Sequence, residues 1–417
     1  MSNLKTGVPF LFSVVALASL AWLTPDFAGA QTAGAPATFY LGADVSALAS
    51  GRGGGRGGVA RYQEDGQQGT EYGIMMKHGW NAFRLRVFLS PVRQAPNNSL
   101  ENTIPLAKQI KAAGATFMLD IHYSDTWADP QHQETPIAWQ DLDAAGMEKH
   151  VEDYSKDVIT QLKAAGAMPD LVQVGNEITG GMLWPMGHVR VPPSDVKAGA
   201  GPVQFPLPDP YDDVKQWDNL IRFIKAGIRG VREGAGDSPV KIVMHIDCGG
   251  DWQVTQSWFD HLTAANVDYD IIGQSFYPNY HGTLAMLQHN IVECHNRYPT
   301  KPFFVAETGY PQSGGTRIMS PATPTTLPAG TAATARSKGY MQWPGTPQGQ
   351  LQFMADLVNT VKRAGGSGVF YWAPEGFGRG NGMWNADGTP APSIFVLDNL
   401  TALTTQPASR LPDPPTP

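Results

Sequence analysis

Charged residues are scarce in this sequence. Asp, Glu, Lys and Arg make up 16% of its 417 residues, whereas about 25% is typical of soluble domains. Positive charge is not in excess, because 30 Lys and Arg stand against 37 Asp and Glu, a net charge of −7. Binding to nucleic acid depends on neutralising phosphates with Lys and Arg. We therefore expect no nucleic-acid partner.

Cysteine is nearly absent, with Cys248 and Cys294 as the two examples in the chain. Two distant cysteines do not form a zinc-binding signature. In an exported protein they either pair as a disulfide or remain free thiols. The sequence leaves both possibilities open, and the function does not depend on the answer.

Two kinds of catalytic motif are also missing. The sequence has no Gly-x-Ser-x-Gly elbow, which excludes a serine hydrolase of that type. His122, Asp125, Asp129 and His132 resemble metal ligands individually, but they lack a fixed helical spacing. We expect hydrogen bonding from these side chains, and neither a metal nor another cofactor.

Apolar runs that approach membrane-spanning length occur only at the N-terminus. Lys5 precedes an apolar run at residues 8–23, and a small-x-small site follows at residues 28–30. The run is shorter than the about 20 residues that span a bilayer. Residues 1–30 are therefore predicted to be a cleaved signal peptide. We expect a secreted or periplasmic protein with no membrane association after cleavage.

The rest of the chain is predicted to contain one folded domain, at residues 39–404. Residues 31–38 have the composition of a flexible lead-in. Residues 405–417 end in a proline-rich run that is typical of a disordered tail. We expect the mature protein to be a monomer.

Short apolar runs alternate with helical patterns about eight times along this domain. Parallel strands that are covered on both faces have continuous apolar sequences of this kind. The candidate strands are residues 39–45, 82–88, 116–122, 171–175, 241–246, 271–276, 303–306 and 368–372. The clearest candidate helices are residues 103–113, 148–165, 216–233 and 350–364. Eight strand–helix units predict an α/β fold, a single-domain (β/α)8 TIM barrel.

A doubly wound sheet is the competing fold. It predicts fewer units and a phosphate-binding glycine turn after the first strand. The glycine-rich stretch at residues 51–58 lacks the Lys-Ser/Thr of a phosphate loop and the helix that should follow. Two long loops, at residues 180–210 and 312–347, follow the fourth and seventh strands. In a barrel such loops lie on the catalytic face.

Two glutamates, Glu177 and Glu307, follow the apolar runs of the fourth and seventh strands. In a barrel both carboxylates would emerge at the same mouth. Paired carboxylates, one an acid/base and one a nucleophile about 5–5.5 Å away, are what retaining glycoside hydrolysis requires. The alternative is that each is an ion-pair partner of a strand-end arginine such as Arg84. Their position on opposed strands favours the catalytic interpretation.

The two carboxylates must differ in protonation to divide this work. Arg84 is expected to keep Glu307 ionised through its positive charge, and Tyr277 to hydrogen-bond the same carboxylate. Glu177 would then hold the proton at rest. Asn176 is expected to donate a hydrogen bond to a sugar hydroxyl beside the scissile bond.

Tryptophan is abundant in the segments that follow strands, where indole rings can stack on the apolar faces of sugars. The candidates are Trp127, Trp139, Trp184, Trp252, Trp343, Trp372 and Trp384. Any one of them is more readily explained as part of the core. Trp184 and Trp372 are the best candidates for sugar contacts, because each lies close to the end of a strand.

Several motifs now point to one family. The blocks HYSDTWADP at residues 122–130, VGNEI at 174–178 and GMLWP at 181–185 occur in order, followed by ETGYP at 307–311. In these blocks the chain resembles the arabinogalactan endo-β-1,4-galactanases of glycoside hydrolase family 53. The resemblance extends from about residue 40 to about residue 400. It implies Glu177 as acid/base and Glu307 as nucleophile. The substrate-binding residues assigned with it are Arg84, His122, Asp125, Trp127, Asn176, Trp184, Tyr277 and Trp372.

The chain departs from the family pattern in its glycine-rich insert, in the lengths of its two long loops and at Phe88, where a Trp is expected. No acidic loop matches the calcium site of some bacterial members. The resemblance implies a secreted retaining endo-β-1,4-galactanase with galactan as its polysaccharide substrate. The alternatives are another retaining β-glycanase of the same barrel group, a mannanase or xylanase, and a non-catalytic glycan-binding protein.

Overall fold

A computed structural model describes Met1 and residues 38–49, 62–91, 97–193, 207, 210–313 and 342–404. The chain divides into two units, Met1–Ala37 and Thr38–Pro417, and every described residue except Met1 lies in the second. The predicted signal peptide, nearly all of the lead-in, the glycine-rich stretch and the predicted tail lie outside the described residues. No helix in the described ranges combines the length and apolarity needed to cross a membrane.

Eight parallel strands close into a barrel, which confirms the predicted (β/α)8 fold. The strands are β1 (Tyr40–Asp44), β2 (Ala82–Val87), β3 (Thr116–Ile121), β4 (Leu171–Val174), β5 (Lys241–Ile246), β6 (Ile271–Ser275), β7 (Phe303–Thr308) and β8 (Gly368–Trp372). They pair in chain order, and β8 pairs with β1 to close the barrel. Seven predicted strands have ends within one residue of those observed, and β7 is two residues longer than predicted.

In the described part of the chain, a helix of at least seven residues follows each strand. The helices are α1 (Glu71–Lys77), α2 (Leu100–Ala112), α3 (Ala144–Ala164), α4 (Asp213–Ala235), α5 (Trp252–Ala264), α6 (Leu284–Arg297), α7 (Pro347–Arg363) and α8 (Val396–Thr404). Helices α1 to α7 each begin after a Ser, Thr or Asp whose side chain accepts a hydrogen bond from the backbone two or three residues into the helix. The four predicted helices begin three or four residues too late, because apolar periodicity becomes visible only after the cap.

The barrel interior has two different layers. The lower layer is apolar and forms its own cluster, with Ala82, Met118, Leu171, Val243, Ile271, Phe304 and Phe370. Side chains two residues further along the strands face the same way. In β2 to β5 these are Arg84, Asp120, Gln173 and His245, all buried. The layer below the barrel mouth is therefore polar although water does not reach it.

The long loops are only partly described. Gly181–Met182 and Gly187–His188 form a small antiparallel ribbon after β4, whereas residues 194–206 and 314–341 lie outside the described part of the chain. Cys248 and Cys294 are free thiols and both are buried.

Helices α3 and α4 approach each other closely through glycines of α4. A Cβ on Gly230 would lie 2.2 Å from the carbonyl oxygen of Glu152 and 2.8 Å from the Cβ of Ser155. Both distances are shorter than van der Waals contact, so any larger residue at position 230 must push the helices apart.

We expect Gly230→Ala to destabilise the protein by about 1–3 kcal/mol, because overpacking outweighs the about 1 kcal/mol that alanine gains in helix propensity. The free energy of unfolding from urea denaturation measures this. Gly146→Ala, in the first turn of α3, is the matched control and should keep or slightly raise stability, since its nearest neighbour is a side-chain oxygen at 3.3 Å. A Gly230→Ala protein as stable as the control would contradict the packing argument.

Candidate active site

A cavity of about 260 Å³ opens at the carboxyl ends of the strands. It is lined by Arg84, Arg86, His122, Trp127, Ala128, Asp129, Asn176, Glu177, Glu307 and Trp372. Seven of the residues predicted from the sequence thus lie around one space. Both glutamates reach it while remaining largely buried, with 7% of Glu177 and 8% of Glu307 exposed.

The backbone turns sharply where Glu177 follows β4. Gly175 has φ 90°, and Glu177 itself has the left-handed values φ 48° and ψ 46°. A non-glycine residue in this region is strained by of order 1–3 kcal/mol. The turn is held by Gln133, whose Nε2 donates to the carbonyl of Asn176 at 2.8 Å. This turn places the Glu177 side chain at the barrel mouth.

The surroundings of Glu177 favour its protonated form. Burial, the charge of Glu307 and the charge of Asp247 together raise the pKa of Glu177 well above its ordinary value. Ser275 opposes this shift, because its hydroxyl donates a 2.5 Å hydrogen bond to Oε1 of Glu177.

A β-bulge turns Glu307 into the mouth. Gln274 and Ser275 are adjacent on β6, but their partners on β7 are Val305 and Glu307. Strand β7 therefore contains one extra residue at this point. The pairing with β8 shows the same irregularity. Simple alternation from the inward-facing Phe304 would point Glu307 outward. The extra residue reverses the alternation, which bulges commonly do beside active sites.

Arg84 and Tyr277 hold Glu307 from two sides. Arg84 forms an ion pair with Oε2 of Glu307, and the Tyr277 hydroxyl donates to Oε1 at 2.8 Å. Burial and the nearby charge of Glu307 raise the pKa of Tyr277, so its hydroxyl remains a donor. Both contacts expected from the sequence are present, and both favour an ionised Glu307.

Arg84 is buried and shared between acids. Its Nε donates to Asp44 at 2.8 Å, and one Nη donates to Gln173 at 3.3 Å. Burial alone would lower the pKa of Arg84, but the charges of Glu307, Asp44 and Asp120 raise it well above its ordinary value. The guanidinium is therefore a fixed positive charge beneath the cavity.

Hydrogen bonds to both ring nitrogens fix the orientation of His122. Its Nδ1 accepts a hydrogen bond from the backbone N–H of Ala128 at 2.9 Å, so the proton is on Nε2, which donates to Asp120 at 3.1 Å. Asp129 and His132 pair with each other at 2.9 Å. Within the described ranges, no three His, Cys, Asp or Glu side chains gather as a metal site would require.

Trp127 and Trp372 form an aromatic wall of the cavity. Their rings meet edge to face with centroids 6.3 Å apart, and the Arg86 guanidinium lies 4.2 Å from the Trp127 ring. Both indoles are only half-buried. The wall offers an apolar surface to a ligand that enters the cavity.

Asp125 and Trp184, both predicted to bind substrate, do not line the cavity. The carboxylate of Asp125 accepts hydrogen bonds from the backbone N–H groups of Ser90 and Ile137, at 3.0 Å and 2.9 Å. The ring of Trp184 stacks on His188 with centroids 3.9 Å apart. In the described structure Asp125 joins two loops, and Trp184 packs within the loop after β4.

The amide of Asn176 is oriented by its surroundings. Its Nδ2 donates to the carbonyl oxygen of Ala128 at 2.7 Å. Its Oδ1 is buried and has no hydrogen-bond partner among the described residues. The expectation from the sequence was a donor, whereas the group left unsatisfied at the cavity is an acceptor.

Sequence reasoning missed the residues that support the site. Arg86 lines the cavity and Asp44 pairs with Arg84. Asp120 accepts a hydrogen bond from His122, and Ser275 donates one to Glu177. A signal was present for some of them. Charged residues two positions apart in a buried strand, such as Arg84 and Arg86, face the same side and indicate a polar interior.

A (β/α)8 barrel with two carboxylic acids in one aromatic-walled cavity, one of them paired with an arginine, defines a class of protein, the glycoside hydrolases. The model of glycosyl hydrolase family 53 matches residues 40–404. The chain belongs to that family.

Known proteins support this membership. An uncharacterised protein in the bgaB 5′ region of Niallia circulans is 37% identical, over 81% of this chain and 83% of that protein. A probable arabinogalactan endo-β-1,4-galactanase A of Aspergillus terreus is 31% identical, over 80% of this chain and 85% of that protein. A solved structure of a fungal β-1,4-galactanase has a TM-score of 0.68 at 28% identity, over 87% of this chain and 99% of that one.

We expect Arg84→Met to lower the free energy of unfolding by about 3–5 kcal/mol, because the substitution removes the cation that pairs with the buried carboxylate of Glu307 and one of the two that pair with Asp44. Urea denaturation at pH 7 measures the effect. Arg229→Met is the control, since Arg229 pairs with Glu152 at the exposed surface and such pairs contribute about 1 kcal/mol or less. Equal losses in the two variants would show that the buried charge does not support the barrel.

Proposed function

We propose that the protein is a retaining endo-β-1,4-galactanase that hydrolyses β-1,4-galactosidic bonds in galactan or arabinogalactan. The observation that carries the proposal is that two glutamates on one cavity have different surroundings: Glu177 is buried near other acids, whereas Glu307 is paired with Arg84. The substrate is inferred from the galactanases among the relatives.

In the first step Glu307 attacks the anomeric carbon and forms a covalent galactosyl ester. Glu177 transfers its proton to the glycosidic oxygen, which departs with the electron pair of the broken bond. The raised pKa of Glu177 favours the protonated form that this step requires. Arg84 and Tyr277 fix both oxygens of the nucleophile, so it reacts in one orientation.

In the second step water replaces Glu307. The ionised Glu177 accepts a proton from the water, whose oxygen bonds to the anomeric carbon, and the ester bond to Glu307 breaks. Two inversions restore the original anomeric configuration. This mechanism requires carboxylates about 5–5.5 Å apart, which is the separation we propose for this pair.

The sugar that reacts would lie between Asn176 and the aromatic wall. The unsatisfied Oδ1 of Asn176 is a suitable acceptor for a sugar hydroxyl. Trp372 and Trp127 would contact apolar faces of the sugar chain. The N-terminal sequence supports our proposal that the protein is exported to the periplasm or the medium. We also propose that the mature protein acts as a monomer.

The purified mature chain should release short oligosaccharides from β-1,4-galactan, and proton NMR should show the β-anomer as the first product. Mannan and xylan should be cleaved at least about 100-fold more slowly, since a misplaced hydroxyl leaves polar groups in the site unpaired. Faster cleavage of mannan or xylan would identify another glycanase of the same barrel group. An α-anomer as the first product would contradict retention.

We expect Glu177→Gln and Glu307→Gln each to lower kcat on galactan by about 10³-fold or more, because each removes a group that reacts chemically. Glu375→Gln is the control. Burial and Asp44 raise the pKa of Glu375 to about 8, so an amide there replaces a neutral acid outside the cavity. Circular dichroism should show all three variants folded. Normal turnover by Glu177→Gln or Glu307→Gln would show that the substituted glutamate is not catalytic, whereas no turnover by the unsubstituted protein would favour the alternative of a glycan-binding protein.

A further inference from the structure

A continuous series of hydrogen bonds links Arg84 to Glu177 through the barrel interior. Arg84 donates to Oε1 of Gln173 at 3.3 Å. Nε2 of Gln173 lies 2.6 Å from Nδ1 of His245, and Nε2 of His245 lies 2.9 Å from the Ser275 hydroxyl. Ser275 then donates to Oε1 of Glu177 at 2.5 Å. Gln173, His245 and Ser275 belong to three strands, β4, β5 and β6.

The direction of every bond in this series follows from its first member. A guanidinium can only donate, so the oxygen of the Gln173 amide must face Arg84 and its nitrogen must face His245. His245 therefore accepts at Nδ1 and carries its proton on Nε2, which donates to Ser275. The hydroxyl hydrogen of Ser275 is left to point at Glu177. All four donors are aimed towards Glu177.

Burial makes this arrangement permanent. Gln173, His245 and Ser275 are each 0% exposed, so water does not compete for their bonds. Burial, followed by the charge of Arg84, lowers the pKa of His245 to about 3. The imidazole is neutral at any pH at which the protein would work, and its tautomer is fixed by its neighbours.

We infer that Gln173, His245 and Ser275 are positioning residues that direct a hydrogen bond from the centre of the barrel onto one oxygen of Glu177. This inference rests on the proposed function, in which Glu177 is the acid/base. Ser275 occupies Oε1, and Oε2 is the oxygen we assign to the proton that is transferred.

The donor is useful because Glu177 must alternate between charge states. After it gives up its proton, Glu177 is a buried carboxylate that faces the carboxylates of Asp247 and Asp129. Glu307, the other acid that faces it, is then esterified, and the Tyr277 hydroxyl is neutral. The Ser275 hydroxyl donates a hydrogen bond to this newly formed carboxylate. A polarised series of bonds strengthens its last member.

The test is the pH dependence of kcat/KM for Ser275→Ala on galactan. Activity requires protonated Glu177, so it is lost as pH rises through the pKa of this group. Removal of a donor to the ionised form raises that pKa further, and the alkaline limb should move up by about one pH unit. The acid limb should not move. Thr255→Val is the control. It removes a buried hydroxyl that accepts a hydrogen bond from Gln274, the neighbour of Ser275 on β6, and it should shift neither limb.

Two variants at His245 test the series beyond its last bond. His245→Phe keeps the ring shape but removes both nitrogens, and it should move the alkaline limb in the same direction by a smaller amount. His245→Gln keeps an acceptor followed by a donor and should restore the limb towards its original position. Equal pH profiles for His245→Phe and His245→Gln would overturn the role proposed for Gln173 and His245 and would leave Ser275 as the one positioning residue.

Carboxyl-carbon NMR of glutamate-labelled protein measures the titration of Glu177 without substrate. The Glu177 signal is the one lost in Glu177→Gln. An upward shift of its titration in Ser275→Ala supports the inference even if galactan is not cleaved, so failure of the proposed function is seen separately. An unshifted titration overturns the inference. If Ser275→Ala does not fold, Ser275→Cys, with its weaker thiol donor, should give a smaller shift in the same direction.

Discussion

The buried guanidinium of Arg84 is the interaction on which the site depends. It pairs with Asp44 on β1 and with Glu307 on β7, and it bonds to Gln173 on β4. Arg86 also pairs with Asp44, so two cations balance two acids inside the barrel, where an unpaired buried charge costs several kcal/mol. The polar layer, the ionised Glu307 and the direction of the bonds towards Glu177 all follow from this one cation.

The two glutamates lie on one cavity but in different electrostatic surroundings. Glu307 has a cation and a phenol at its two oxygens. Glu177 has a hydroxyl at one oxygen, and other acids lie near it. A carboxylic acid beside carboxylates and away from water retains its proton, whereas one beside arginine releases it. The chemistry of the site is therefore a consequence of where Arg84 lies, and the aromatic wall adds the surface on which a sugar can rest.

Much of this could be read from the sequence. Continuous apolar runs predicted all eight strands, because parallel strands are buried on both faces. Asn176 and Glu177 after β4, and Glu307 near the end of β7, marked the strand ends that carry the site. The contacts of Trp184 and Asp125 could not be predicted from the sequence, because a residue near a strand end can pack against any of several loops. The orientation of the Asn176 amide could not be predicted either, since it depends on the carbonyl of Ala128, which is distant in the sequence.

The sequence by itself determined the barrel, its order of strands and the family, since these depend on local periodicity and on motifs that lie together in the chain. Tertiary structure alone decided how Glu307 faces the cavity. Alternation along β7 points this side chain outward, and an extra residue opposite β6 and β8 turns it inward. A bulge exists only relative to neighbouring strands, so no inspection of β7 on its own could have revealed it.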